Sequence, residues 1–338
     1  MNRRIGLASA AWALAVSLAC APRERPTADF PLDGAGETLE ADTRALCALG
    51  PRVTGSVACT RAEELAAARF RESGLAARLE PWDWPSHPAG AAIPRNVVAE
   101  LPGRDRAGEI VLLAAHLDTV ALSPGANDDA VNAALVLGAA RAIRAAGPAR
   151  RSLRFVLFTG EEQKLLGSQA YVKAHASELG SHVLAVVYDL GSARTLGFYT
   201  NGRKQELRAL FTRVLSAGGR WRSLFGLYSI WAGADSFSFV EAGVPALTAY
   251  QDLAPYRAVY HSEKDTVETV DFAASRVNAA LAAALVNGVA NDPEPALRRM
   301  TPGEIAALLT RHGLGEAVPA VSSPARPTAP PGAEPARP

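Results

Sequence analysis

Residues 110–118 read IVLLAAHLD. The run from Ile110 to Ala115 is wholly apolar, and His116 and Asp118 end it abruptly. A strand can be apolar at every position only when both of its faces are covered, because successive side chains point to opposite sides. The polar residues mark its carboxyl end. In open α/β sheets that end faces the ligand crevice. The stretch therefore predicts a two-sided parallel sheet and the place where its chemistry sits.

The same pattern recurs along the chain. Strands are expected over Asn96–Leu101, Leu153–Phe158, Val183–Tyr188 and Val244–Tyr250. Helical periodicity or composition marks Arg61–Ser73, Ala130–Ala146, Gln169–Leu179, Leu207–Leu215 and Phe272–Val289. The run Leu224–Trp231 reads as an ordinary buried strand. Strands alternating with helices predict an α/β fold, a three-layer αβα sandwich with a mostly parallel, mixed central sheet.

Composition bounds the rest. The chain has 338 residues and a formal net charge of +1. No basic run is present, so a nucleic-acid partner is not expected. Arg3 and Arg4 precede the apolar stretch Ile5–Leu18, which is short for a membrane span and reads as a processing signal over residues 1–20. Ser17-Leu18-Ala19-Cys20 looks like a bacterial lipobox, with Ser17 where Leu is commoner. Lipidation of Cys20 would hold the protein at the cell envelope by an anchor; plain cleavage would release it. Residues 21–36 are Pro- and charge-rich and read as a tether. A main domain is expected over 37–295, a helical extension over 296–317, and a disordered Pro- and Ala-rich tail over 318–338. A monomer is expected. Cys47 and Cys59 remain, and an oxidising compartment favours a bridge between them.

Chemistry gathers where polarity breaks the strand pattern. His116 and Asp118 follow one strand, Glu161 and Glu162 another, and Asp189 a third. Carboxylates crowded into one crevice cannot all stay ionised without a counter-charge. Imidazole and carboxylate donors without thiolate favour zinc or a similar divalent ion. His116 and His261 are the candidate ligands, while His87, His175, His182 and His312 are expected to face solvent. Asp118, two residues past His116 on an extended segment, is placed to accept that histidine's other ring N–H.

Five segments then resemble the M28 family of co-catalytic zinc aminopeptidases: AAHLDTV, PGANDDA, FTGEEQKLLGSQAYV, VVYDLGS and YHSEKDTVETVD. LGPRVTGS at Leu49–Ser56 and NVVAELPG at Asn96–Gly103 resemble its earlier landmarks. The order matches across residues 45 to 290. The resemblance implies a peptide substrate and two zinc ions. His116 and Asp189 would bind one ion, Glu162 and His261 the other, and Asp128 both. Two metals bridged in this way lie about 3.5–4 Å apart, a value general to two-metal aminopeptidases and related enzymes. Glu161 would be the general base and Tyr260 would stabilise the developing oxyanion. The Asp128-Asp129 bond is implied to be cis.

There are departures. Val131-Asn132 stands where the family often has Ser-Gly, and Ala234-Asp235-Ser236 where it often has Ser-Asp-His. These bear on substrate preference more than on catalysis. No long insertion separates Trp84 from Asn96, so no protease-associated domain is expected. The rival readings are a glutaminyl-cyclase-like acyltransferase with one zinc, for which Trp231 would line the pocket, and an inactive binding ectodomain of the same fold.

Overall fold

The computed structural model describes residues 32–215, 226–228, 230–294 and 296–314. The strands are β1 (Ala76–Pro81), β2 (Arg95–Leu101), β3 (Arg106–His116), β4 (Arg151–Phe158), β5 (His182–Val187), β6 (Thr195–Tyr199), β7 (Gly226–Tyr228) and β8 (Ala246–Gln251). They form one sheet in the order β1-β2-β4-β3-β5-β8-β6-β7. The central run β4-β3-β5-β8 is parallel throughout, so its carboxyl ends lie side by side. Antiparallel pairing appears outside it, where β2 meets β1 and β4, and where β6 meets β8.

Alternation along the central strands builds two cores. Val111, Leu113 and Ala115 join Phe155, Leu157, Leu184 and Val186 on one face. Leu112 and Ala114 join Val156, Phe158, Ala185 and Val187 on the other. Helices α1 (Leu39–Cys47), α2 (Val57–Glu72), α3 (Val131–Ala146), α5 (Lys204–Leu215) and α8 (Phe272–Asn291) cover the first face. Helices α4 (Leu166–Ala174), α6 (Ser236–Glu241) and α9 (Pro302–Arg311) contribute Tyr171, Phe239 and Leu308 to the second. Each fully buried Leu, Val or Phe adds roughly 1.5–3 kcal/mol, so both layers are needed to hold the sheet. Short α7 (Leu253–Val259) follows β8. The α/β sandwich read from the sequence is the observed fold.

Several local expectations are corrected. The stretch read as a tether through residue 36 ends earlier, since Leu32–Gly36 forms a 3-10 turn with Ala35 fully buried. Gly138 on α3 lets that turn approach: a Cβ there would meet the Ala35 carbonyl oxygen at 2.1 Å. The helix expected over Gln169–Leu179 runs Leu166–Ala174 instead, and Leu179–Ser181 turns separately into β5. Cys47 and Cys59 are free thiols, and burial pushes Cys47 up to about 11. They behave as small apolar residues. His182 is buried and His175 part-buried, against the expectation of solvent exposure, because both enter a polar cluster under α4. Within Leu224–Trp231 only Gly226–Tyr228 is strand; Leu224, Phe225 and Ser229 lie outside the described residues. The lipobox and the Pro-rich tail also lie outside them.

Candidate metal centre

Three adjacent strand ends and two loops deliver the site. His116 is the last residue of β3, and Asp189 follows β5. Glu161 and Glu162 follow β4 after a short turn. Asp128 sits in the tight turn Ala126–Ala130 that opens α3, and His261 follows α7. The turn depends on Gly125, at φ 65°, where a Cβ would meet the Thr119 side chain at 2.2 Å. The Asp128-Asp129 peptide bond is cis.

These groups form two donor sets that share one carboxylate: His116, Asp128 and Asp189, and Asp128, Glu162 and His261. His116 Nε2 lies 3.2 Å from Asp128 Oδ1 and 3.5 Å from Asp189 Oδ1. His261 Nε2 lies 3.3 Å from Asp128 Oδ2 and 3.0 Å from Glu162 Oε2. Asp128 Oδ2, Glu162 Oε1 and Asp189 Oδ2 are buried with no hydrogen-bond donor. Buried acceptors are seldom left unpaired, so a cation is the fitting partner. The donors are imidazole and carboxylate without thiolate, a set that suits zinc.

Electrostatics agree. Burial raises the Glu161 carboxyl well above the usual range, and Asp189, Asp235 and Glu162 add to it. Burial likewise lifts Glu162 to about 7, with Asp128 contributing and the His261 bond opposing. Tyr260 is 47% exposed and stacks on His261 with ring centroids 3.6 Å apart. Burial and the nearby Asp128 and Glu162 raise its phenol.

Asp118 does more than was read from the sequence. His116 Nδ1 faces the Asp118 main-chain oxygen at 3.1 Å, with the carboxylate at 3.6 Å. That carboxylate instead accepts Glu161 N–H at 3.1 Å, Glu162 N–H at 3.2 Å and the Thr54 hydroxyl at 2.8 Å. It therefore ties the β4 turn to the β3 end. Other residues of the site were missed. Arg52 is fully buried and donates to the carbonyls of Leu117, Pro124 and Gly125 at 2.8, 2.8 and 2.9 Å. LGPRVTGS is thus a buckle across the loop that leads to Asp128. Asn132 donates to Asp129 Oδ1 at 2.6 Å, and Asp129 Oδ2 accepts the His116 main-chain N–H at 3.1 Å. This departure from the family pattern is buried and supports the frame. Asp235 is 1% exposed and is raised to about 8 by burial, with Ser168 opposing and Asp189 adding to it.

Residues 96–286 match the model of peptidase family M28. The chain belongs to that family. Carboxypeptidase Q of Xenopus laevis is 33% identical over 177 residues, covering 52% of this chain and 37% of the relative. The match thus spans well under half of that relative's length. An aminopeptidase from Aneurinibacillus sp. strain AM-1 shares the fold with a TM-score of 0.65 at 17% identity, covering 80% of this chain and 97% of that one. A glutaminyl cyclase from Fimbriiglobus ruber does so with a TM-score of 0.63 at 21% identity, over 78% of this chain and 96% of that one.

Proposed function

We propose that this M28 protein hydrolyses peptide bonds with two zinc ions and removes amino-terminal residues. The observation that carries this is the Asp128 carboxylate, one oxygen toward His116 and the other toward His261. A single-zinc cyclase would need only one of the two donor sets. His116 with Asp189 supplies the second.

Bound zinc would supply Lewis acidity, acidifying water and polarising the scissile carbonyl. Glu161 belongs to neither donor set, so its carboxylate is left for proton transfer. It would take the proton from water and deliver it to the leaving amine. Asp118 fixes the main chain of Glu161 and Glu162, so the base would be held beside a residue that could bind zinc. Tyr260, stacked on His261, would donate its hydroxyl to the developing oxyanion.

The amino-terminal direction is supported by the aminopeptidase among the neighbours of like fold. The name of the Xenopus relative points to the other terminus, which makes the choice testable. Amino-acyl anilides should release chromophore, amino-blocked anilides should not, and chelation should abolish release until zinc returns. Cleavage confined to the carboxyl end would overturn the aminopeptidase reading. A single bound metal with cyclisation of amino-terminal glutamine would overturn the peptidase reading. The lipobox at Ser17–Cys20 supports an envelope location.

A further inference from the structure

Asp265 lies in the segment that follows His261, is fully buried, and belongs to neither donor set. Its carboxylate instead grips the turn that carries Asp128. Oδ1 accepts the Asn127 main-chain N–H at 2.7 Å and the Asn127 side-chain amide at 2.9 Å. Oδ2 accepts the Asp128 N–H at 3.1 Å and lies 3.5 Å from the Ser123 hydroxyl. The Asp265 carbonyl accepts the Ala126 N–H at 3.2 Å. Successive amides at 126, 127 and 128 therefore all donate to one residue. The turn has no side-chain cap of its own, so these bonds replace the one a cap would make.

The consequence is geometric. Asp128 belongs to both donor sets, and His261 to one of them. Asp265 joins the chain segments that bear them. We propose that Asp265 is a positioning residue that sets both metal half-sites together, by fixing the Asp128 carboxylate relative to His261. This rests on the two-zinc reading above. Neutral Asn cannot replace it: one of its two head atoms is a donor, which would meet an N–H where an acceptor stood. The turn would then shift, and the shared ligand with it.

The test is zinc titration of the chelator-stripped full-length protein against a chromogenic chelator. Asp265→Asn should weaken both ions together, each by at least about tenfold, the lower end for losses behind a ligand. Excess zinc should bring its turnover back to within a few-fold of wild type. Asp265→Glu, which keeps charge and both acceptors, should recover most of the affinity. Thr269→Val removes the 2.9 Å bond from the Asn127 side chain to the Thr269 hydroxyl. It should lower the melting temperature and leave both affinities unchanged.

Wild-type affinity for both ions in Asp265→Asn, with only a lower melting temperature, would overturn the proposal. So would weakening of one ion alone, or a wild-type protein that binds fewer than two. If the Asn variant does not fold, the Glu variant carries the test. Its displaced carboxylate should weaken both ions together by a smaller factor, and unchanged binding of either would overturn the proposal. A wild-type protein that binds two ions but cleaves no anilide would remove the peptidase reading alone, because this titration does not depend on turnover.

Discussion

Strand β5 starts at His182 and ends just before Asp189, and a buried polar cluster sits at each end. At the His182 end every group finds a partner. Arg154 donates to Glu100 and to the Tyr171 oxygen, each at 2.6 Å, and to Glu178. Tyr171 lies 3.1 Å from His182 Nε2, and His182 Nδ1 lies 3.1 Å from the Glu178 carbonyl. The chain is consistent when His182 is neutral, accepting from the Tyr171 hydroxyl and donating through Nδ1. At the Asp189 end, acceptors crowd together and several have no donor. Fully satisfied polar groups specify a core. Acceptors left without donors specify something that must be bound. The two clusters should therefore fail differently when cut.

The largest effect is expected at the Asp189 end. Glu161→Gln should keep zinc yet lose at least about a hundredfold in turnover, the lower end for a general base. Its melting temperature should stay near that of wild type. Turnover like wild type would remove Glu161 from the chemistry. At the other end the signs reverse. Arg154→Met should leave zinc content and turnover per folded molecule intact. It should cost about 2–3 kcal/mol in urea unfolding, less than a fully buried pair because Glu100 and Glu178 are part-exposed. A loss of zinc in that variant would mean that the two ends are not separable.

The smallest effect is a pH dependence. Burial lowers His182 to about 4, with the Arg154 charge adding to it, whereas the unfolded side chain titrates near about 6.5. Folding thus favours the neutral ring. Its contribution is intact above about pH 6.5 and is lost as pH falls toward 4, because only the unfolded chain takes up the proton there. His182→Gln keeps a donor and an acceptor but cannot titrate. Between pH 7 and pH 5 the wild type should lose about 2 kcal/mol more than this variant. Equal losses would contradict a neutral, buried His182.

The two ends were also unequally legible. Strands covered on both faces read as apolar runs, so the polar residues at their carboxyl ends stood out, and His116, Glu161, Glu162 and Asp189 were found from pattern alone. Asp128 and His261 sit in loops; only resemblance to the family marked Asp128, and His261 stood out because the other histidines read as solvent-facing. Arg154 was hidden inside the apolar strand Leu153–Phe158. Nothing local shows that Glu100 on β2 and Glu178 beyond α4 come to meet it. His182 reads as solvent-facing for the same reason. Arg52 and Asp265 were invisible because their work is done on main-chain groups of distant loops, which no side-chain pattern records. The edge strand β1 went unread because its alternation is short: Ala77 and Leu79 pack on the core, while Arg78 is exposed and Glu80 part-buried.

The central claim is that one carboxylate serves two metal ions, and zinc titration of Asp128→Ala tests it most directly. The account predicts two tight sites in the chelator-stripped wild type and none in the variant, since the loss takes one ligand from each donor set. A helix-start role alone would instead cost about 0.5–2 kcal/mol of stability and no metal. Two tight sites surviving in Asp128→Ala, with only a lowered melting temperature, would contradict the shared carboxylate and the two-zinc hydrolysis built on it.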